Sequence, residues 1–153
     1  MIRDAVTDDA AAIAEVFSAA WEQITPALDP ADRSIFAGRD LTAMWRGTIQ
    51  HPNRRVLLRH DEQVQGFIVT ARAGELGAPL HVRSLYVHPH HGRRGVGAAL
   101  LSAAVADQPA WLTVFEPNTA ARSFYRRNGW HDAGPVADQE GFSTPLRRME
   151  RTV

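Results

Sequence analysis

The stretch "HPHHGRRGVGAALL", His88–Leu101, sets three histidines, two arginines and a Gly-Val-Gly close together. Histidines in such a cluster can hold a metal, arginines can grip nucleic acid, and glycines can open a helix around a phosphate. The flanking segments narrow the choice. Before it, "LHVRSLYV" predicts a strand. From Val96 onward, "VGAALLSAAVADQ" predicts a helix stopped by Pro109, and "WLTVF" after it predicts a buried strand. Gly95, Val96 and Gly97 therefore stand where a strand hands over to a helix.

Working outward, "MIRDA" predicts a short edge strand. "TDDAAAIAEVFSAAWEQI" predicts a helix with Thr7 and Asp8 as candidate caps and Ile13, Val16, Phe17, Ala20 and Ile24 at helical spacing. Two prolines in "TPALDPADRS" break it, and "SIFAGRDLTAMWRGTIQ" predicts a second helix. "RRVLLRHDEQVQGFIVTARA" reads as two strands around a polar turn at Asp61 and Glu62, with "GELGAP" as the following loop. Past the central unit, "NTAARSFYRRNG" predicts a short helix stopped by Gly129, and "WHDAGPV" and "STPLRRMERTV" predict two more strands. The order β, α, α, β, β, β, α, β, α, β, β implies an α/β fold: one domain over residues 1–153, with a mixed sheet of about seven strands and about four helices.

Composition excludes several classes. The chain has 153 residues, enough for one domain that buries about two thirds of its unfolded surface. Its formal net charge is zero, whereas a nucleic-acid binder usually shows a basic excess, so no nucleic-acid partner is expected. No apolar run is long enough to span a bilayer, and the acids in "MIRDAVTDDAAAIAEVF" do not suit a signal peptide, so no membrane partner and a cytoplasmic location are expected. Cysteine is absent, which removes disulfides, thiolate zinc sites and thiol nucleophiles. All 17 basic residues are arginine, so Schiff-base chemistry and a P-loop lysine are excluded too.

A helix N-terminus leaves its first amides unpaired and carries about half a positive charge. Glycines there let the backbone approach an anion, with a phosphate or pyrophosphate as the expected guest and Arg93 and Arg94 as cationic donors at the rim. The same glycines also suit a plain tight turn. Metal binding by His88, His90 and His91 needs convergent imidazoles, yet His90 and His91 are adjacent and Pro89 stiffens the loop; no metal is expected. A dinucleotide site is the stronger rival, because Glu116 lies about twenty residues past the glycines, where a ribose-binding acid would stand. Leu100 at the third glycine position, the segment Pro89–Arg93 between strand and glycines, and the lack of further βαβ units count against it.

"VHPHHGRRGVGAALL" followed by "WLTVFEPNTAARSFYRRNGW" resembles the two signature blocks of the GNAT superfamily of N-acetyltransferases. The second block is carried by Asn118, Ala121, Phe124-Tyr125, Gly129 and Trp130, and the resemblance is close from about Leu80 to Trp130. It implies a GNAT-like fold and an acetyl-CoA-dependent N-acetyltransferase. Gly92, Arg93, Arg94, Gly95, Val96, Gly97 and Ala98 would cradle the pyrophosphate of acetyl-CoA. Leu85, Tyr86 and Val87 would offer main-chain groups to the pantetheine arm, and one amide would polarise the thioester carbonyl. Asn118 would contact the cofactor. Tyr125 would protonate the departing CoA thiolate, a core aromatic being the alternative. The histidines would be bystanders.

Two departures stand out. Gly92 occupies the position of a Gln or Arg, so that "GRRG" replaces the usual "RGRG". The strand "HVRSLYV" also offers no carboxylate where many relatives place a general base. An amine of pKa near 10 is mostly protonated at neutral pH and needs a proton acceptor. The candidates are Glu116, His81, or a water chain leading to either. With no covalent nucleophile in the sequence, the reaction would be direct attack by a bound amine. Its partner would be a small-molecule or protein amine, with a homodimer left open. Trp21, Phe36 and Trp45, with Asp29, Asp32 and Asp40, lie in the region that would flank the acceptor, and aromatics near carboxylates suit a cationic amine as well as they suit ordinary packing. The alternative function is a non-catalytic acyl-CoA sensor that has lost its base.

Overall fold

In a computed structural model, described over residues 1–72 and 79–152, the elements follow the predicted order: β1 (Ile2–Asp4), α1 (Ala10–Ile24), α2 (Leu41–Gln50), β2 (Arg54–His60), β3 (Val64–Ala71), β4 (Leu80–Val87), α3 (Val96–Val105), β5 (Ala110–Phe115), α4 (Thr119–Arg127), β6 (His131–Pro135) and β7 (Leu146–Arg151). The predicted loop "GELGAP" lies almost wholly outside the described residues. The strands form one sheet in the order β1-β2-β3-β4-β5-β7-β6. Among the described residues only β4 and β5 pair in parallel, as the crossover through α3 requires.

Helices cover both faces. On one face α1 and α2 bury Ile13, Phe17, Trp21 and Trp45 against Leu58, Phe67 and Val69. On the other, α3 and α4 bury Val96, Leu100, Leu101 and Tyr125 against Ile68, Val82, Leu112 and Met149. Among the described residues no helix is long and apolar enough to cross a membrane.

Two helix starts differ from the sequence reading. Neither Thr7 nor Asp8 caps α1. The Asp9 carboxylate accepts the Val6 amide at 2.8 Å and pairs with Arg3, within a 3-10 turn over Thr7–Asp9 that leads into the helix. The second helix begins at Leu41 rather than at Ser34, because the Asp40 side chain accepts the Ala43 amide at 3.0 Å and Gly38 takes a left-handed φ of 74°.

A bulge in β4 decides which side chains reach the site. Val69 on β3 pairs with Ser84, but Thr70 pairs with Val82, so Arg83 is the extra residue. Side-chain parity flips across it. Leu80 and Val82 face the α3 side, and past the bulge it is Leu85 and Val87 that do, while Tyr86 packs among the aromatics under α1 and α2.

Candidate functional site

β4 and β5 pair only at Leu80↔Ala110 and His81↔Trp111. Beyond those pairs they diverge, although β5 stays paired to β7 along its whole length. The facing edge of β4 from Val82 to Val87 is therefore left without strand partners, as an added extended ligand would require.

Three cavities meet at this splay. A cleft of about 650 Å³ lies over the start of α3 and is lined by Gly92, Arg93, Gly95, Val96, Gly97 and Ala98, by Leu85 and Val87 of β4, and by one face of α4. A narrow cavity of about 90 Å³ runs between β4 and β5. It shares Leu85, Ala121 and Tyr125 with the cleft. A third cavity, of about 390 Å³, lies among the aromatics on the opposite face and shares Arg83, Ser84 and Tyr86 with the narrow one. The narrow cavity thus shares walls with a larger one on each face of the sheet.

The floor of the cleft carries unpaired backbone donors. The first amide of α3 with a helical partner is that of Ala99, which donates to the Gly95 carbonyl at 3.0 Å. The amides of Val96, Gly97 and Ala98 precede it and are the free donors of a helix start. Gly95 caps the helix at φ 77°, and Arg93 also takes a left-handed φ of 63°. The exchange of Gly and Arg in "GRRG" thus puts a non-glycine in a conformation that costs about 1–2 kcal/mol, while Gly92 sits at an ordinary φ of −65°. Of the two arginines predicted at the rim, Arg93 lines the cleft and Arg94 does not. Gly97 has a packing duty as well. A Cβ there would lie 3.2 Å from the Phe124 ring, so this glycine lets α3 and α4 approach.

Other predicted residues fall at the splay or near it. Tyr125 is 8% exposed and lines both the cleft and the narrow cavity. Burial, and next the neighbouring Tyr86, push its hydroxyl pKa above the ordinary phenol value. Asn118 lines the narrow cavity while its side-chain oxygen accepts the Ala121 amide at 3.2 Å and caps α4. Tyr86 lines the narrow and aromatic cavities instead of the cleft, and burial raises its pKa to about 12. Glu116 lines none of the three cavities. Its carboxylate meets Arg147 at 3.1 Å, and Arg147 in turn grips Asp132 with two hydrogen bonds.

His81 sits where β4 and β5 are still paired, with its ring stacked on Trp111 at 3.8 Å and 1°. Burial, followed by the charges of Arg83, Arg54 and Arg148, lowers its pKa to about 4. Between pH 6.5 and 4 the unfolded chain therefore binds the extra proton, and stability falls on acidification through that window. His81→Phe keeps a stacking ring and removes the titration. Thermal unfolding followed across pH 7 to 4 should show a flatter decline for the variant than for the parent.

Sequence reasoning overlooked two groups in the cleft. His91, grouped with the bystanders, lines it with a buried Nδ1 that lacks a partner. Arg127 joins from the last turn of α4, and its spacing from Ala120 and Ser123 on one helix face is the signal that could have found it. Among the described residues no three His, Asp or Glu side chains are arranged to hold a metal ion.

The family model of the acetyltransferase (GNAT) domain matches residues 52–132. Among solved structures, the chain is similar to the PaiA N-acetyltransferase of Thermoplasma acidophilum in complex with coenzyme A, at 19% identity and a TM-score of 0.74 over 100% of this chain and 98% of that one. It is also similar to the apo form of YjaB from Escherichia coli, at 20% identity and a TM-score of 0.72 over 99% and 97%. Nourseothricin acetyltransferase matches at 27% identity and a TM-score of 0.57 over 65% of each chain. No curated protein matches the chain.

Proposed function

The chain belongs to the GNAT acetyltransferase family, and from that premise we propose that it moves the acetyl group of acetyl-CoA directly to the nitrogen of an amine acceptor. One observation carries the reading. The cleft with free helix amides and the aromatic cavity on the other face both share walls with the narrow cavity between β4 and β5, and Tyr125 borders that cavity and the cleft. Two substrates entering from opposite faces would meet there.

In this reading the amides of Val96, Gly97 and Ala98, with Arg93, Arg127 and His91, hold the pyrophosphate. Arg94 adds its charge from outside the cleft, and Gly92 and Gly95 keep the backbone close. The open edge of β4 at Leu85, Tyr86 and Val87 receives the pantetheine arm, and Asn118 contacts the cofactor from the start of α4. The amine lone pair attacks the thioester carbon, the carbon–sulfur bond breaks, and the Tyr125 hydroxyl gives its proton to the leaving sulfur. The acceptor's own proton passes through water to Glu116. Glu116, paired with Arg147 at 3.1 Å outside the three cavities, relays that proton to solvent. The acceptor is a small-molecule or protein amine, and the location is cytoplasmic.

Calorimetric titration with acetyl-CoA, beside NADH and NADPH, tests the reading. Saturable one-to-one binding of acetyl-CoA alone is expected. Preference for a nicotinamide cofactor, or no heat from any of the three, overturns it. The second reading, an acyl-CoA sensor, draws on a specific observation: among the described residues no Asp or Glu lines any of the three cavities. A sensor would bind acetyl-CoA without releasing CoA to any amine. Because the chain has no cysteine, a thiol reagent follows that release without protein background.

A further inference from the structure

The carboxylates that the sequence placed near the acceptor are engaged elsewhere. The Asp32 carboxylate is buried and accepts the Ser143 amide, the Thr144 amide and the Thr144 hydroxyl. Asp40 caps α2. Asp29 is outside the aromatic cavity, as are Asp32 and Asp40. Among the described residues, the guanidiniums that line it are those of Arg54 and Arg83, beside the His51 imidazole. Neither guanidinium has an acidic partner among the described residues. They act on each other, since partial burial and then the Arg83 charge hold Arg54 below the usual arginine range. Their placement has a structural cause. Arg54 opens β2 directly after α2, and Arg83 is the bulge residue of β4.

A third donor points the same way. The Trp45 indole lines this cavity, the residue is 6% exposed, and its Nε1–H is buried without a partner. Such a group lacks the hydrogen bond that buried donors normally make. Around these donors the wall is aromatic: Phe17 meets Phe36, Trp45 and Tyr86 edge-on at 5.0–5.2 Å between ring centroids. A volume of about 390 Å³ is at the scale of a small molecule.

Resting on the acetyltransferase reading, we infer that the acceptor is an α-amino acid with an aromatic or bulky apolar side chain, whose carboxylate is held by Arg83 and Arg54. Arg83 lines both the aromatic and the narrow cavity. A carboxylate held there keeps an amine on the neighbouring carbon at the gap where the acetyl group arrives, whereas an amine farther along a chain would be carried past it. Arginine suits this task because its planar fork matches a carboxylate. A polycationic acceptor would meet two uncompensated guanidiniums and be repelled.

The test compares amines that differ only in the carboxylate. L-Phenylalanine and phenethylamine, and L-tryptophan and tryptamine, are assayed by CoA release, with rates expressed per neutral amine. The amino acids should show kcat/KM at least about 10-fold higher, the scale of one charge-assisted contact. In Arg83→Gln and Arg54→Gln, both at solvent-accessible strand positions, that advantage should collapse through a rise in KM for the acids. Equal or greater use of the decarboxylated amines, or an advantage that survives both substitutions, overturns the inference. Acetyl-CoA binding is measured on the same samples, so loss of that binding would count against the transferase reading itself. Binding to CoA-loaded protein is read separately by tryptophan fluorescence. N-Acetyl-L-phenylalanine should bind more tightly than N-phenethylacetamide, and the reverse order or equality overturns the inference even without turnover.

Discussion

Tyr125→Phe is expected to lower turnover by about 100-fold while leaving acetyl-CoA affinity within about twofold. The substitution removes one hydroxyl from a ring that stays packed between Phe124 and Trp130 at centroid distances of 5.2 and 5.6 Å, so the fold has little reason to change. Burial raises the Tyr125 pKa, which keeps the hydroxyl protonated at any working pH. The same burial makes a departing thiolate more basic, so donor and acceptor shift together and proton transfer between them stays feasible. Steady-state CoA release and calorimetry on the same variant separate chemistry from binding. An undiminished kcat would remove the acid assignment and leave Tyr125 as a core aromatic, with the fold unaffected.

Gly66→Val is expected to destabilise the protein by about 2–3 kcal/mol, a fall in Tm of about 4–12 °C for a chain of this size. Gly66 lies in β3 beneath the start of α3. A Cβ there would sit 3.0 Å from the Tyr86 carbonyl oxygen, 3.1 Å from Val96 and 3.3 Å from Leu100. The Tyr86 oxygen belongs to the β4 backbone and cannot yield as a side-chain tip would, while the branched valine presses against Val96 and Leu100 and pushes α3 away from the sheet. Because Val96 opens the helix whose free amides line the cleft, the same change should weaken acetyl-CoA binding. Thermal unfolding with and without acetyl-CoA should therefore show a lower Tm and a smaller ligand-induced rise. A Tm within about 1 °C of the parent would mean that α3 does not rest on Gly66 as described.

These two sites differ in how far the sequence announced them. Tyr125 is legible because it sits in a motif with fixed spacing after Asn118. Gly66 carries no such mark: a lone glycine in a strand reads as weak propensity, and only the helix lying across it shows why no side chain fits. Gly97 is intermediate. Its place at the helix start is legible, but its contact with Phe124 depends on α4 folding back over α3. Glu116 is legible as a carboxylate directly after β5, but its pairing with Arg147, 31 residues later, is not.

The order of all eleven elements, the strand–helix–strand centre and the glycines at the start of α3 were determined by the sequence alone, because they follow from local periodicity and from residues that break it. Which side chains face which cavity was decided only by the tertiary structure. A strictly alternating β4 would send Leu80, Val82, Ser84 and Tyr86 to one face. One extra residue at Arg83 reverses that parity, turning Leu85 and Val87 toward the cleft and leaving Tyr86 among the aromatics. The bulge arises from pairing with β3 and has no signature in the eight residues of β4. The divergence of β4 from β5 past His81 and Trp111 likewise shows only once the sheet is assembled from strands apart in the chain.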